Sequence, residues 1–183
     1  AWQAGESITQ LAEQRAAPMF LTPAAKGTIE DDHPLCLSVR HHFPTVQAYL
    51  KTADVVLAFG SELGEDLYCN PFAFNGLVIR VDLEASVFER NLKGDVCLQA
   101  DANFAAQELK EKIPNQSEQL EKTRQKVREV LEEASRELGT VFNYKDLSSI
   151  IQLLKEAQVS LPKDAILVTD STKPAYLGFS EYS

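Results

Sequence analysis

The chain has 183 residues, of which 44% are hydrophobic, and a net charge of −9. This length suits one domain and part of a second, while the excess of acids disfavours a nucleic-acid or anionic-membrane partner. No apolar run reaches the ~20 residues of a spanning helix, and no basic-then-apolar leader opens the chain, so we expect a cytoplasmic protein. Three cysteines without C-x-x-C spacing favour reduced core residues over a metal site: Cys36, Cys69 and Cys97.

The first part of the chain alternates helical and strand patterns. Apolar positions at helical spacing predict a helix over 5–16. Strands that are apolar on both faces and separated by helices indicate a parallel sheet covered on both sides, and right-handed crossovers make it a doubly wound α/β domain. The predicted strands are 19–22, 55–59, 78–81 and 96–99, and the further helical segments are 46–50, 85–88 and 102–112.

The pattern changes from Pro114 onward. Residues 117–138 are rich in charge and carry one apolar stripe, which predicts an amphipathic helix that ends at Gly139 and packs across the domain. A second helical face follows over 147–154, and then a strand over 165–169. A polar turn leads from that strand into a helix with Pro174 near its first turn.

Three segments taken in order carry a family resemblance. They are 21–35 (LTPAAKGTIEDDHPL), 53–60 (ADVVLAFG) and 77–82 (LVIRVD). Together they resemble the central domain of the thiamine-diphosphate (ThDP) enzymes of the acetolactate synthase and benzoylformate decarboxylase type. A second resemblance, to the start of the family's C-terminal diphosphate-binding domain, begins near Leu161.

The resemblance implies a division of the chain and a function. Residues 1–113 would be the central domain, 114–144 a linker helix, and 145–183 the beginning of the diphosphate-binding domain. The chain would then be a fragment of a ThDP- and Mg²⁺-dependent 2-oxo-acid decarboxylase or carboligase, without catalysis of its own. Its partners would be the remaining domains of the same polypeptide, in a homo-oligomer that acts on a small 2-oxo acid.

The resemblance also implies what the chain lacks. The family's central domain opens with an apolar strand and a glycine-rich turn, and this chain starts at or after that turn, so we expect the first strand to be missing and residue 1 not to be the native start. The glutamate that activates the cofactor lies in the family's N-terminal domain, and the Gly-Asp-Gly…Asn motif for Mg²⁺ would follow Ser183. No catalytic or metal-binding residue is therefore expected here.

Polar residues gather where the predicted strands end, at the ligand crevice of this fold. In flavin-containing members of the family the matching segments hold FAD, and in the oxalyl-CoA decarboxylase branch they hold ADP. An acid at a strand end suits a ribose hydroxyl, which makes Asp82 the best candidate. The other candidates are Lys26, Gly27, Gly60 and Ser61.

The turn at 60–66 departs from the flavin-binding members, which carry an arginine and an aspartate pair there. In this chain Glu62, Glu65 and Asp66 make the turn acidic, and acids beside a pyrophosphate would repel it. An empty crevice, FAD and another nucleotide such as ADP all stay open. An alternative function is a free-standing nucleotide-binding or regulatory module on the same scaffold.

The turn after 165–169 is a candidate phosphate site, because a helix N-terminus presents backbone N–H groups to anions. The corresponding turn of the family touches the cofactor diphosphate, which implies Ser171 and Thr172 as donors and Asp170 as the residue that orients the turn. An ordinary helix cap formed by Asp170 or Ser171 is the alternative. This turn and the one at 60–65 are most similar to the branch that decarboxylates 5-guanidino-2-oxopentanoate, the 2-oxo acid derived from arginine.

The chain has three histidines, of which His33 is a possible acid or base. His33, beside Pro34, is favoured as a turn element because the family's His-Pro pair lies far from the thiazolium. His41 and His42 fall in a loop whose family counterpart runs toward the substrate entrance, and a solvated loop is favoured over a role in access.

Overall fold

The structure is a computed structural model that describes residues 3–64, 74–162 and 165–182. Its helices and strands follow one another in an α/β order, with short 3-10 turns at Pro23–Ala25, Ala85–Glu89 and Ser117–Gln119. The helices are α1 (Gly5–Arg15), α2 (Pro44–Leu50), α3 (Ala102–Lys112), α4 (Leu120–Val141), α5 (Leu147–Ser160) and α6 (Lys173–Glu181), and the strands are β1 (Val55–Phe59), β2 (Leu77–Asp82) and β3 (Val96–Gln99).

The strands form a parallel sheet in the order β1-β2-β3. Phe59 lies beside Val81, and Val81 lies beside Leu98, so the strands end at one common edge. Parallel strands with flanking helices confirm the predicted α/β fold, the Rossmann-like arrangement of this scaffold.

The two faces of the sheet differ in cover. Val56 and Val78 share one face and pack with Leu63 in a small core cluster. Side chains on the opposite face are in part exposed, and all of β3 is exposed. Val81, on the same face, is 1% exposed, so cover on both sides is present but incomplete in the described part of the sheet. The exposed apolar residues on that face are Val55, Leu77, Val96 and Leu98.

Two predicted strands are absent from the described sheet. At 19–22 the structure has an isolated parallel bridge between Met19 and Cys36, and the Leu21 N–H donates to the Ser38 carbonyl (3.1 Å). The left-handed φ of 50° at Ser38 interrupts the regular extended pairing with this segment. At 165–169 the chain forms no ladder, and Ile166 is 89% exposed. A strand needs partners for its N–H and C=O groups, and apolar alternation alone does not supply them.

Helix α4 continues through Gly139 to Val141, so the predicted stop at Gly139 is wrong. The Phe142 N–H donates to the Leu138 carbonyl (2.8 Å) and closes the last turn. Phe142 is then buried in the largest core cluster. Burial of this ring outweighs the cost of a helical glycine, about 1 kcal/mol.

The largest core cluster joins the two parts of the chain. Side chains from α4, α5 and α6 pack there against α2 and the segment before it, as expected for a helix that packs across the domain. A second cluster lies between α1 and residues 19–39. The buried members of the first cluster are Leu37, Phe43, Val46, Val127, Val130, Ala134, Phe142, Ile150, Leu154 and Leu177.

Helix α4 also caps α2 across a long sequence distance. The Glu137 carboxylate accepts the Thr45 N–H (3.1 Å) and the Thr45 hydroxyl (2.7 Å). It satisfies a first-turn N–H that has no partner within its own helix. Sequence periodicity gives no indication of this contact.

We expect two glycine substitutions to change stability in opposite directions. An added Cβ at Gly5 would lie 2.0 Å from the Thr28 carbonyl oxygen, whereas at Gly139 it would meet nothing within 4 Å. Gly5→Ala should cost about 2 kcal/mol or more, as overpacking does, and Gly139→Ala should add up to about 1 kcal/mol. Urea unfolding of both variants checks this, and a neutral Gly5→Ala would contradict the close approach.

Candidate functional site

Three of the predicted crevice residues meet at the carboxyl edge of the sheet. Gly60 has a left-handed φ of 56°, and its N–H donates to the carbonyl of Val81 (2.8 Å). The Asp82 carboxylate accepts the Glu84 N–H (3.0 Å). Ser61 follows Gly60, so the turn after β1 and the end of β2 form one polar edge.

A buried arginine that sequence reasoning missed organises this edge. Arg80 is 1% exposed. Its Nη2 donates to the carbonyl of Ser61 (2.8 Å). Its Nη1 lies within 3.4 Å of the Phe88 carbonyl, 3.0 Å of the Arg90 carbonyl and 2.7 Å of the Leu92 carbonyl. One guanidinium thereby joins the turn after β1 to the connection between β2 and β3. The available signal was a charged residue inside an otherwise apolar strand.

Further contacts hold these two loops together. Arg90 pairs with Glu62 at 2.8 Å, and the Asn91 side-chain amide donates to the Glu62 carbonyl (3.0 Å). Glu62 is therefore matched by a cation, which reduces the acidity expected of this turn. The pair is solvent-exposed and adds little stability. Glu65 and Asp66, the other predicted acids, lie outside the described residues.

Lys26 and Gly27 lie in the loop after the first 3-10 turn. The Lys26 ammonium pairs with the Asp31 carboxylate, which also accepts the Ser38 hydroxyl (2.7 Å). Gly27 has a left-handed φ of 81°, which suits glycine. Lys26 is therefore paired within its own loop and not at the edge of the sheet that carries Asp82.

The C-terminal turn has a different construction from an ordinary cap. Thr172 is the N-cap of α6 and makes no side-chain cap bond. The Asp170 carboxylate accepts the Ser171 N–H (2.7 Å), so it shapes the turn before the helix. The predicted cap by Asp170 or Ser171 is therefore wrong, since neither residue occupies the N-cap position.

A third hydroxyl, missed by sequence reasoning, belongs to this turn. The Ser171 and Tyr176 hydroxyl oxygens lie 2.6 Å apart. Thr172 is exposed beside them, as is Lys173 at the first position of α6. The signal was a tyrosine one helical turn after the N-cap, a spacing that returns the side chain to the start of the helix.

The histidines divide into a turn residue and a buried pair. His33 Nδ1 accepts the Leu35 N–H (3.2 Å), and its Nε2 lies 3.4 Å from a Glu13 carboxylate oxygen, as suits a turn element. His41 and His42 are 5% and 9% exposed, so the expected solvated loop is wrong. Their rings pack among aromatic rings: Phe20, Phe43 and Phe142.

An open cleft of about 530 Å³ lies at the opposite, amino edge of the sheet. Lys51, Asp54, Asn75 and Asp95 are among its lining residues. Ligands of open parallel sheets bind outside the carboxyl ends of the strands, so the cleft lies away from the predicted crevice. Within the described ranges, no three His, Cys, Asp or Glu side chains are grouped to hold a metal ion.

We expect the two described cysteines to differ in reactivity. Burial raises the pKa of the Cys36 thiol, and the Ser38 N–H offsets this in part. A higher pKa leaves less reactive thiolate at a given pH. Cys97 lies on β3 and is exposed, so the core placement predicted for it is wrong, because this strand lacks cover. The core prediction for Cys69 falls outside the described residues.

Iodoacetamide at pH 8 should modify Cys97 at least about tenfold faster than Cys36. Peptide mass spectrometry resolves the two sites. The same reaction in urea, where both thiols are exposed, is the control and should bring the rates together. Equal rates in the folded chain would contradict the burial of Cys36.

None of the described helices is both long and apolar enough to span a bilayer. The family model for the central domain of thiamine pyrophosphate enzymes matches residues 1–109. The chain therefore belongs to this family.

Three relatives show which enzymes contain a similar segment. A probable 2-ketoarginine decarboxylase AruI of Pseudomonas aeruginosa is 29% identical over 96% of this chain and 31% of its own length. Human 2-hydroxyacyl-CoA lyase 1 is 28% identical over the same shares. A probable acetolactate synthase large subunit of Methanococcus aeolicus is 26% identical over 58% of this chain and 18% of its own length. The chain spans about a third of the length of the first two relatives.

Proposed function

We propose that the chain is the middle part of a ThDP- and Mg²⁺-dependent enzyme that decarboxylates or ligates 2-oxo acids. Residues 1–113 are the central domain, 114–144 the linker helix, and 145–183 the start of the diphosphate-binding domain. The family match to residues 1–109 supports the first of these three units. The observation that carries the proposal is the group of hydroxyls at the amino end of α6.

The donors at this turn fit a diphosphate. Ser171, Thr172 and Tyr176 supply hydroxyls, and α6 supplies the positive end of a helix dipole. Lys173 pairs with Asp146 and is not counted among these donors. The Asp170 carboxylate accepts the Ser171 N–H. This hydrogen bond orients the turn and offsets part of the negative charge that the anion would meet. When bound, ThDP supplies the electron sink for carbanion chemistry. The residues of this chain would bind and orient its diphosphate.

The substrate we propose is the 2-oxo acid derived from arginine. The turns at 60–65 and 170–176 carry the branch resemblance, and the Pseudomonas relative is named for a decarboxylase of 2-ketoarginine. The lyase and synthase relatives support the wider proposal of an enzyme that cleaves or forms a bond beside a 2-oxo or 2-hydroxyacyl group.

The test is cofactor binding by the full-length polypeptide. Ser171→Ala combined with Thr172→Val should weaken ThDP affinity by about tenfold or more, because hydrogen bonds to charged groups contribute about 1.5–3 kcal/mol. Ser135→Ala is the control, since its exposed hydroxyl donates to the Leu131 carbonyl within α4. Unchanged ThDP affinity in the double variant would reject the site, and ThDP-dependent CO₂ release from 2-ketoarginine would support the substrate.

The alternative is a nucleotide-binding module at the carboxyl edge of the sheet. It is favoured by the placement of Gly60, Ser61 and Asp82 at one edge. ADP and FAD titrations followed by fluorescence test it, with Asp82→Asn as the variant. Saturable binding that Asp82→Asn weakens would support an occupied crevice, and no saturation at millimolar nucleotide would support an empty one.

A further inference from the structure

Helix α6, which carries the proposed diphosphate turn, is held at three points along its nine residues. Its central residue, Leu177, is fully buried in the largest core cluster. Lys173 at the first position lies 3.3 Å from the Asp146 carboxylate and 5.1 Å from the centre of the Tyr144 ring. Glu181 at the last position pairs with Arg40.

The ion pair at Glu181 connects α6 to Arg40 of the central domain. Arg40 Nε and Nη2 both donate to one oxygen of Glu181, at 3.3 and 3.2 Å. Both side chains are 18% exposed, so water screens this pair less than the pairs on the surface. Phe179, two residues earlier, packs against the second core cluster.

These contacts are spaced so that α6 can act as a lever, that is, tilt as a rigid helix about its midpoint. A helix of this length spans about 13 Å, and Leu177 lies at its midpoint. Movement of the Glu181 end about that midpoint displaces the opposite end, where Thr172 is the N-cap, by a similar distance in the other direction. Donors at a phosphate site lose strength steeply when they move by an ångström.

We propose that the Arg40–Glu181 pair is a positioning device that sets the orientation of the diphosphate turn from the central domain. This rests on the proposed function, because the turn must bind a diphosphate for its orientation to matter. Arg40 and Glu181 act through α6 and touch no phosphate themselves. Their loss should weaken diphosphate binding although the donors of the turn remain intact.

A double-mutant cycle on ligand affinity tests the pair in the full-length polypeptide. The variants are Arg40→Met, Glu181→Gln and the two combined. The measured quantities are the Kd values of ThDP and of inorganic pyrophosphate by calorimetry, at a temperature where every variant is folded by circular dichroism. Each single variant should weaken both affinities about five- to tenfold, and the combined variant should lose no more than either alone.

A second arginine variant keeps the test decisive if Arg40→Met fails to fold. Arg40→Lys retains the charge but offers one ammonium in place of two fixed N–H groups, and an intermediate loss of about threefold is expected. The control is Glu133→Gln, which breaks a pair with Arg136 on the exposed face of α4. Its affinities should not change.

The outcomes separate this inference from the proposed function. Unchanged affinity in both single variants, or losses that multiply in the combined variant, would overturn the positioning role. If Ser171→Ala with Thr172→Val weakens binding while the Arg40 variants do not, only the positioning role of the Arg40–Glu181 pair is wrong. If neither set changes ThDP or pyrophosphate affinity, the diphosphate site itself is wrong, and so is the positioning role that depends on it.

Discussion

Replacement of Arg80 by methionine is expected to destabilise the chain by about 3–5 kcal/mol, the range for removing one partner from a buried charged network. The guanidinium is fully buried and bonds four carbonyl oxygens in two separate loops. Methionine fills much of the same volume but donates nothing to them. Buried acceptors without a donor then carry the full cost of lost hydration.

Urea unfolding of Arg80→Met against the parent chain measures this loss. Arg136→Met is the matched control, because Arg136 is 72% exposed and pairs with Glu133 along α4. It should change stability by less than about 0.5 kcal/mol. A loss below about 1 kcal/mol in Arg80→Met would mean that water replaces the guanidinium at little cost, and the role given to Arg80 would not stand.

Phe142→Ala is expected to cost about 3–5 kcal/mol, as large-to-small changes of buried aromatic residues do. The ring is 1% exposed. Its centroid lies 5.6 Å from that of His42, 6.0 Å from that of Phe43 and 5.8 Å from that of Tyr144. Truncation would leave a cavity where the end of α4 meets the start of α2.

Thermal or urea unfolding checks this cost, with Phe104→Ala as the control. Phe104 is 59% exposed on α3, and its truncation should cost less than about 1 kcal/mol. The transition of Phe142→Ala should stay single, since one cluster serves both parts of the chain. A small loss, or two separate transitions, would show that α4 to α6 do not share a core with α2.

The sequence could predict the elements whose signal is local. The bounds of β1, β3 and α3 agree with the prediction, because each is a short apolar run or an amphipathic stretch between clear turn residues. The segments 19–22 and 165–169 look the same in sequence, yet neither is a strand. Their state depends on hydrogen-bond partners elsewhere in the chain, which periodicity does not report.

The candidate site divides in the same way. The rule that ligands gather at strand ends placed Gly60, Ser61 and Asp82 at one edge. It could not find Arg80, which joins loops through backbone carbonyls that any sequence would offer. Nor could it find Arg40 and Glu181, which are 141 positions apart. Pairings over such distances are consequences of the fold, and only coordinates show them.

The composition of the largest core cluster has a consequence for biosynthesis. Leu37 and Leu177 are both fully buried in it, so the cluster cannot close until the segment that carries Leu177 has been translated. At ordinary ribosomal rates of ~5–20 residues per second, the first member waits about 7–28 s for the last. During that interval Phe43 and Val46 have no finished core to enter, and nascent-chain chaperones would find them accessible.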